Sequence, residues 1–191
     1  IKQKDGKGPI FVSVSKKGGK VVNMISDGEV KSAKISAEEA QRRAERFLSQ
    51  KGYKSMVPTY SQRFDGTMVI NFAYKQDDVI VYPDLIKIKI SLEDGKVVGF
   101  DARNYLIAHK ERDIEEPKLS LEEARKLVNP NLKVKSEGLA IIPTESGGEK
   151  LCYEFKGEYG GDNFIVYIDA NNGKEVSILK IIDTANGTLV I

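Results

Sequence analysis

Three alternating apolar runs, Ile10-Phe11-Val12-Ser13-Val14, Ile86-Lys87-Ile88-Lys89-Ile90 and Phe164-Ile165-Val166-Tyr167-Ile168, are each followed by a Gly-Lys pair. The pairs begin at residues 19, 95 and 173, intervals of 76 and 78. A second marker, Ile35-Ser36-Ala37-Glu38-Glu39-Ala40, returns as Leu119-Ser120-Leu121-Glu122-Glu123-Ala124, and has no copy before the first run. The chain therefore reads as two and a half copies of one unit. Self-similarity at a long fixed period is a statement about architecture, and it points to a module duplicated to make surface before it points to a single catalytic cleft.

Each complete copy opens on an S-x-x-E pattern, Ser36 with Glu39 and Ser120 with Glu123, in which hydroxyl and carboxylate can satisfy the free N–H groups of a helix start. The spacing of Ala40, Ala44, Phe47 and Leu48 predicts one apolar helix face ending at Lys51-Gly52, and Ala124, Leu127 and Val128 predict another stopped by Asn129-Pro130. Alternating strands follow, at 55–63, 67–75, 85–91 and 96–102 and again at 132–142, 149–157, 163–169 and 174–182. In the first copy only the strands 10–15 and 20–26 remain. Pro83 reads as breaking the stretch from Asp77 to Asp84 into a connection.

The expected fold class is α+β: tandem units, each a helix packed on an antiparallel β-sheet, the first truncated to a hairpin. The expected divisions are 1–33, 34–114 and 115–191, with the acidic stretch at 113–118 as the firmest boundary. Two strands cannot bury both Val12 and Val14 alone, so the hairpin should complete a sheet or pack on the second unit.

Composition narrows the partners. Thirty basic and 28 acidic residues are interspersed for a formal charge of +2, so no strong field concentrates nucleic acid or an anionic membrane. No run approaches the roughly 18 apolar residues of a membrane span. The sequence opens on Ile1 in mid-repeat, so an anchor or targeting segment upstream is an expectation, and membrane association would run through it.

Candidate chemistry is sparse. His109, the one histidine, has no carboxylate or metal-ligand cluster beside it in sequence, and a structural role is expected. Cys152, the one cysteine, alternates away from Leu151, Tyr153 and Phe155 and lacks a basic neighbourhood that would lower its pKa. The pairs Glu38-Glu39 and Glu122-Glu123 complement helix dipoles, and Asp77-Asp78 and Glu115-Glu116 are sequence neighbours, which seldom face each other across a cleft. Asp169-Ala170-Asn171-Asn172-Gly173 faintly matches the opening of a calcium loop but lacks its distal glutamate, and a hairpin turn explains it. No catalytic, cofactor or metal residues are expected. The eight tyrosines read mainly as sheet packing. The strand at 164–169 is apolar on both sides, which makes Ile165 and Tyr167 the candidate partner interface, with burial between repeats as the other reading.

This layout, a helix with S-x-E-E-A, then strands, an alternating run, a Gly-Lys turn and a further strand, resembles the PepSY family. The stretches Val98-Gly99-Phe100-Asp101-Ala102-Arg103-Asn104-Tyr105-Leu106, Leu151-Cys152-Tyr153-Glu154-Phe155 and Ile178 to Leu189 are similar to the PepSY-repeat region of spore germination proteins of Bacillus and its relatives. The resemblance implies a non-enzymatic protein at the spore inner membrane and cortex boundary. It would bind, localise and stabilise or restrain the spore cortex-lytic enzyme, a lytic transglycosylase. The alternative is a peptidoglycan- or glycan-binding envelope module, which needs exposed aromatic platforms. A hydrolase has no constellation to support it.

Overall fold

The computed structural model describes residues 8–26, 32–184 and 187–190, with side chains to residue 182; residues 1–7 and 27–31 of the expected first unit, and 185, 186 and 191, lie outside the described residues. It is a mixed α/β protein, rich in antiparallel sheet and poor in helix. The chain divides into two compact units, residues 1–74 with 84–109, and residues 75–83 with 110–191.

In the first unit the strands β1 (Ile10–Val14), β2 (Val21–Ser26), β3 (Met56–Phe64), β4 (Thr67–Gln76), β5 (Val79–Ser91) and β6 (Val97–Asp101) stand in the order β1-β2-β6-β5-β4-β3. The hairpin joins by antiparallel pairing of β2 with β6, Met24 opposite Phe100. Helix α1 (Ala37–Gln50) lays Ala40, Ala44 and Leu48 on the sheet, all buried, against Ile70, Phe72, Ile86, Ile88, Ile90 and Phe100. Alanines at i and i+4 let the helix axis approach closely, and each fully covered Ile or Phe contributes about 1.5–3 kcal/mol of transfer free energy. Ser36 caps α1 by accepting the Glu39 N–H at 3.2 Å. The Glu39 carboxylate does not return to the cap as the S-x-x-E pattern suggested; it accepts from Arg42 and Arg43 one turn on, at 2.8 and 2.7 Å.

A short helix, α2 (Arg103–Ala108), follows β6. The sequence does not announce it, because Ala102 at its N-cap offers no capping side chain.

In the second unit, helix α3 (Leu121–Leu127) begins on a complete capping box, with Ser120 and Glu123 exchanging side-chain and backbone hydrogen bonds. Strands β7 (Lys133–Pro143), β8 (Glu149–Tyr159), β9 (Asp162–Asp169), β10 (Glu175–Thr184) and β11 (Gly187–Val190) stand in the order β11-β10-β9-β8-β7. Against β7 lies a short parallel partner, Val79–Val81, the tip of the β4–β5 hairpin. The expected break at Pro83 is therefore corrected: β5 runs straight through it. Proline is tolerated because its missing N–H falls after the pairing with β7 ends at Val81 and before the pairing with β6 begins at Lys87.

Both faces of β8 and β9 are covered, as the two-sided apolar pattern of 164–169 allows. Ala124, Val128, Tyr153, Phe155, Val166 and Ile168 form one core under α3. Ala140, Ile142, Cys152, Ile165 and Tyr167 form the other, joined by Ile80, Tyr82, Val176, Leu179 and Ile181.

The three Gly-Lys turns are closed alike, by Ser15 N–H to Lys20 C=O, Ser91 N–H to Lys96 C=O and Asp169 N–H to Lys174 C=O, at 2.8, 2.9 and 2.8 Å. Gly95 and Gly173 have φ of +72° and +73°, and a Cβ there would run into Arg43 and Leu127 respectively. These two turns thus need glycine for the dihedral and for the close approach of a neighbouring side chain.

Candidate functional site

The side chains with chemical capability gather in three places. In the first unit, His109 closes α2 and its Nδ1 lies 2.7 Å from Oδ2 of Asp84, a fully buried carboxylate. Tyr105 stacks on the imidazole at 4.1 Å and Tyr74 meets it edge-on at 4.7 Å. The sequence reading found no carboxylate for His109 because Asp84 is 25 residues away on another strand. One ring nitrogen thus lies on Asp84 and the ring packs against two tyrosines.

Cys152 is buried in the second unit, and burial pushes its thiol up to about 12, with the nearby Asp169 charge adding to the shift. A thiol so shifted carries almost no thiolate near neutral pH.

The second place is the strap that leaves α2. Residues 110–115 belong to no strand or helix. Arg112, buried, donates from Nε and Nη2 to both oxygens of Glu149 at 2.8 and 2.7 Å, and from Nη1 to the carbonyl of Lys110. The Gln76 amide donates to the Arg112 carbonyl at 2.6 Å and accepts from the Arg112 N–H at 3.0 Å. The Arg112 guanidinium beside Glu149 holds its carboxyl below the usual range, with Lys110 adding to the effect. Between strap and sheet runs a groove of about 400 Å³, walled by Lys110, Arg112, Ile114 and Glu149 over Ile141 and Leu151.

The third place is Glu154, buried on β8. Its Oε2 accepts from the hydroxyls of Tyr82 and Tyr167 at 2.6 and 2.8 Å, and Lys156 reaches its Oε1 at 2.9 Å. Burial raises the pKa of the Tyr167 hydroxyl, and the Glu154 charge raises it further. Opposing residues on neighbouring strands, Glu154 and Tyr167 pair directly.

Ile165 and Tyr167 are thus under cover, at 6% and 4% exposure. The reading of them as an open face is corrected in favour of burial, because Ile80 and Tyr82 from the hairpin tip lie in the same core. The Asp169 loop is likewise spoken for. Its carboxylate accepts from the N–H groups of Asn171 and Asn172 and from the Asn172 amide, and pairs with Lys150. Burial raises the Asp169 pKa but these partners outweigh it, leaving it lowered. Among the described residues no group of three or more His, Cys, Asp and Glu side chains could hold a metal ion.

Tyrosine hydroxyls serve the fold too: Tyr153 donates to the Leu119 carbonyl at 2.8 Å, while Tyr53 packs edge-on to Tyr105. Exposed apolar side chains cluster on the first hairpin, where Phe11 is 61% and Ile25 54% exposed across one register pair.

The family described as YpeB sporulation, PepSY1 and PepSY2 domains matches residues 1–115, more than half of the chain. The chain belongs to the YpeB family. A second family, peptidase propeptide and YPEB domain, matches residues 118–179. Among YpeB relatives, the sporulation protein YpeB of Bacillus subtilis is 37% identical over 183 residues, 95% of this chain and 41% of the relative. That of Halalkalibacterium halodurans is 34% identical over 171 residues, 90% of this chain and 38% of the relative. The solved Bacillus megaterium YpeB C-terminal domain superposes with a TM-score of 0.83 at 37% identity, covering 90% of this chain and 76% of that one. The chain spans about two fifths of the length of the curated YpeB relatives it matches.

Proposed function

We propose that this chain is the non-enzymatic, partner-binding part of a sporulation protein, built from tandem PepSY-like units. It binds, localises and stabilises or restrains the cortex-lytic peptidoglycan hydrolase on the outer side of the spore inner membrane. The observation that carries this reading is the YpeB match along residues 1–115, continued by the PepSY match along 118–179. The internal hydrogen bonds of His109, Arg112 and Glu154 and the burial of Cys152 support it. A protein of this kind acts by surface complementarity. The rings of Tyr74, Tyr105 and His109 are packed on one another, so that cluster is not the flat open platform a glycan reading needs; exposed rings are found instead at Phe11, Phe64 and Tyr159.

The test is capture of a purified lytic transglycosylase of the spore cortex by the immobilised chain, with insoluble peptidoglycan offered separately. Capture of the enzyme with little retention on peptidoglycan is the expected result. Retention on peptidoglycan alone, with no enzyme captured, would make the chain a wall-binding module.

A further inference from the structure

One cross-strand pair recurs in all three copies of the repeat. Counted from the Gly-Lys turns, Phe11, Lys87 and Ile165 hold the same position, and they stand opposite Ile25, Asp101 and Leu179. Each pair lies on the side of its sheet away from the helix, because the strand neighbours Met24, Phe100, Ile88 and Val166 pack in the cores under α1 and α3. In the second unit the pair is covered: Ile165 and Leu179 lie in a core joined by Ile80 and Tyr82. On the middle copy the pair is a lysine and an aspartate, Lys87 exposed and Asp101 accepting from Arg103 at 3.0 Å. On the first hairpin the pair is apolar and yet uncovered, with Phe11 at 61% and Ile25 at 54% exposure.

In the two complete copies chemistry follows cover, apolar where the pair is buried and charged where it is wet. The first hairpin departs from that rule, and apolar surface gains from burial only when something lies over it. What surrounds its pair is basic. The row Phe11, Ile25, Gly99 and Lys89 crosses β1, β2, β6 and β5, and the row beside it holds Asp101 and Lys87. Lys87 and Lys89 are exposed and make no ion pair among the described residues, while Asp101, the one carboxylate of these rows, is taken by Arg103. Lys16, Lys17 and Lys20 add exposed charge at the hairpin's turn.

We infer that this face of the first unit, centred on Phe11 and Ile25, is where the partner hydrolase docks, through a surface segment that offers two apolar side chains two residues apart with acidic residues beside them. The inference rests on the function proposed above and gives it a surface. The second unit shows the form of the cover, since Ile80 and Tyr82 stand two residues apart on one strand and pack in the same core as the matching Ile165. An aromatic and an aliphatic side chain inside a polar rim have the composition of an interface core. Carboxylates on the partner opposite Lys87 and Lys89 complete the match, and they make association faster and sensitive to salt.

Calorimetric titration of the purified cortex-lytic transglycosylase into the whole chain, with melting temperatures taken alongside, tests this. The Phe11→Ser, Ile25→Ser double variant is expected to bind about tenfold or more weakly at an unchanged melting temperature. Lys89→Glu is expected to weaken binding about threefold or more at low salt and less at high salt. Ile107→Ser, which removes an 86% exposed apolar side chain from α2, is expected to bind as wild type does. Wild-type affinity in the double variant or in Lys89→Glu, or equal weakening by Ile107→Ser, would overturn this face and leave the proposed function standing. A wild-type chain that binds no hydrolase would overturn both. Sedimentation checks the other occupants: a wild-type dimer, or wild-type binding to phosphatidylglycerol vesicles, that the double variant loses would give the face to a second copy or to a membrane and overturn the inference.

Discussion

At the level of single residues, the groups that look reactive in a list of amino acids are the ones most tied down. Cys152 has no exposed surface and a thiol pushed up to about 12. Cys152→Ala should therefore leave partner capture intact, while Cys152→Ser, which buries a hydroxyl in an apolar core, should cost roughly 1–3 kcal/mol, read from denaturant midpoints. Glu149 makes a different prediction. Its pKa is lowered in the folded state by Arg112, so the stabilisation is present above the unfolded carboxylate value, near about 4.3, and is lost as pH falls through the folded value. Denaturant midpoints taken from about pH 6 down to about pH 3 should fall, and Glu149→Gln should remove part of that slope. A slope unchanged by the substitution would show that the Arg112 pair contributes nothing to acid stability. The Asp84–His109 and Tyr82–Glu154 contacts were beyond reach of the sequence because their partners lie 25 and 72 residues apart. Neither spacing belongs to a motif.

Among the elements, what was legible was local. The alternating runs became β1, β5 and β9, the Ser120 box capped α3, and the Gly-Lys pairs made turns of one hydrogen-bonding pattern. Alternation, capping and positive-φ glycine all act within a few residues, so sequence carries them. The illegible parts were set by tertiary context: α2 forms without a cap, Glu39 turns to Arg42 and Arg43, and β5 continues past Pro83 because its partners change there. Two substitutions test the element-scale reading by thermal melting. Ser120→Ala should cost about 1 kcal/mol through loss of the capping box. Gly173→Ala should cost more than the approximately 1 kcal/mol of a favourable Gly-to-Ala site and with the opposite sign, because φ is +73° and the new Cβ would lie 2.7 Å from Leu127 Cδ1. A Gly173→Ala protein as stable as wild type would contradict the tight turn.

For the whole molecule, the first hairpin and the buried face of β9 are the two places where sequence-based expectation and folded protein can be compared by experiment. The hairpin hydrogen-bonds to β6 and sends Met24 into the first unit's core, so removing residues 1–33 should lower the melting temperature. Ile165→Lys and Tyr167→Glu each put a charge into a closed core, and both should destabilise by about 3 kcal/mol or more before any binding is lost. The reading that the chain works through surface and not through chemistry is tested most directly by titrating the cortex-lytic hydrolase into wild-type protein and into the His109→Gln, Cys152→Ala double variant, both at a temperature where each is folded. Affinities within about twofold, a difference of roughly 0.4 kcal/mol, are the expected result. A loss of tenfold or more in the folded double variant would contradict it and return His109 or Cys152 to a direct part in function.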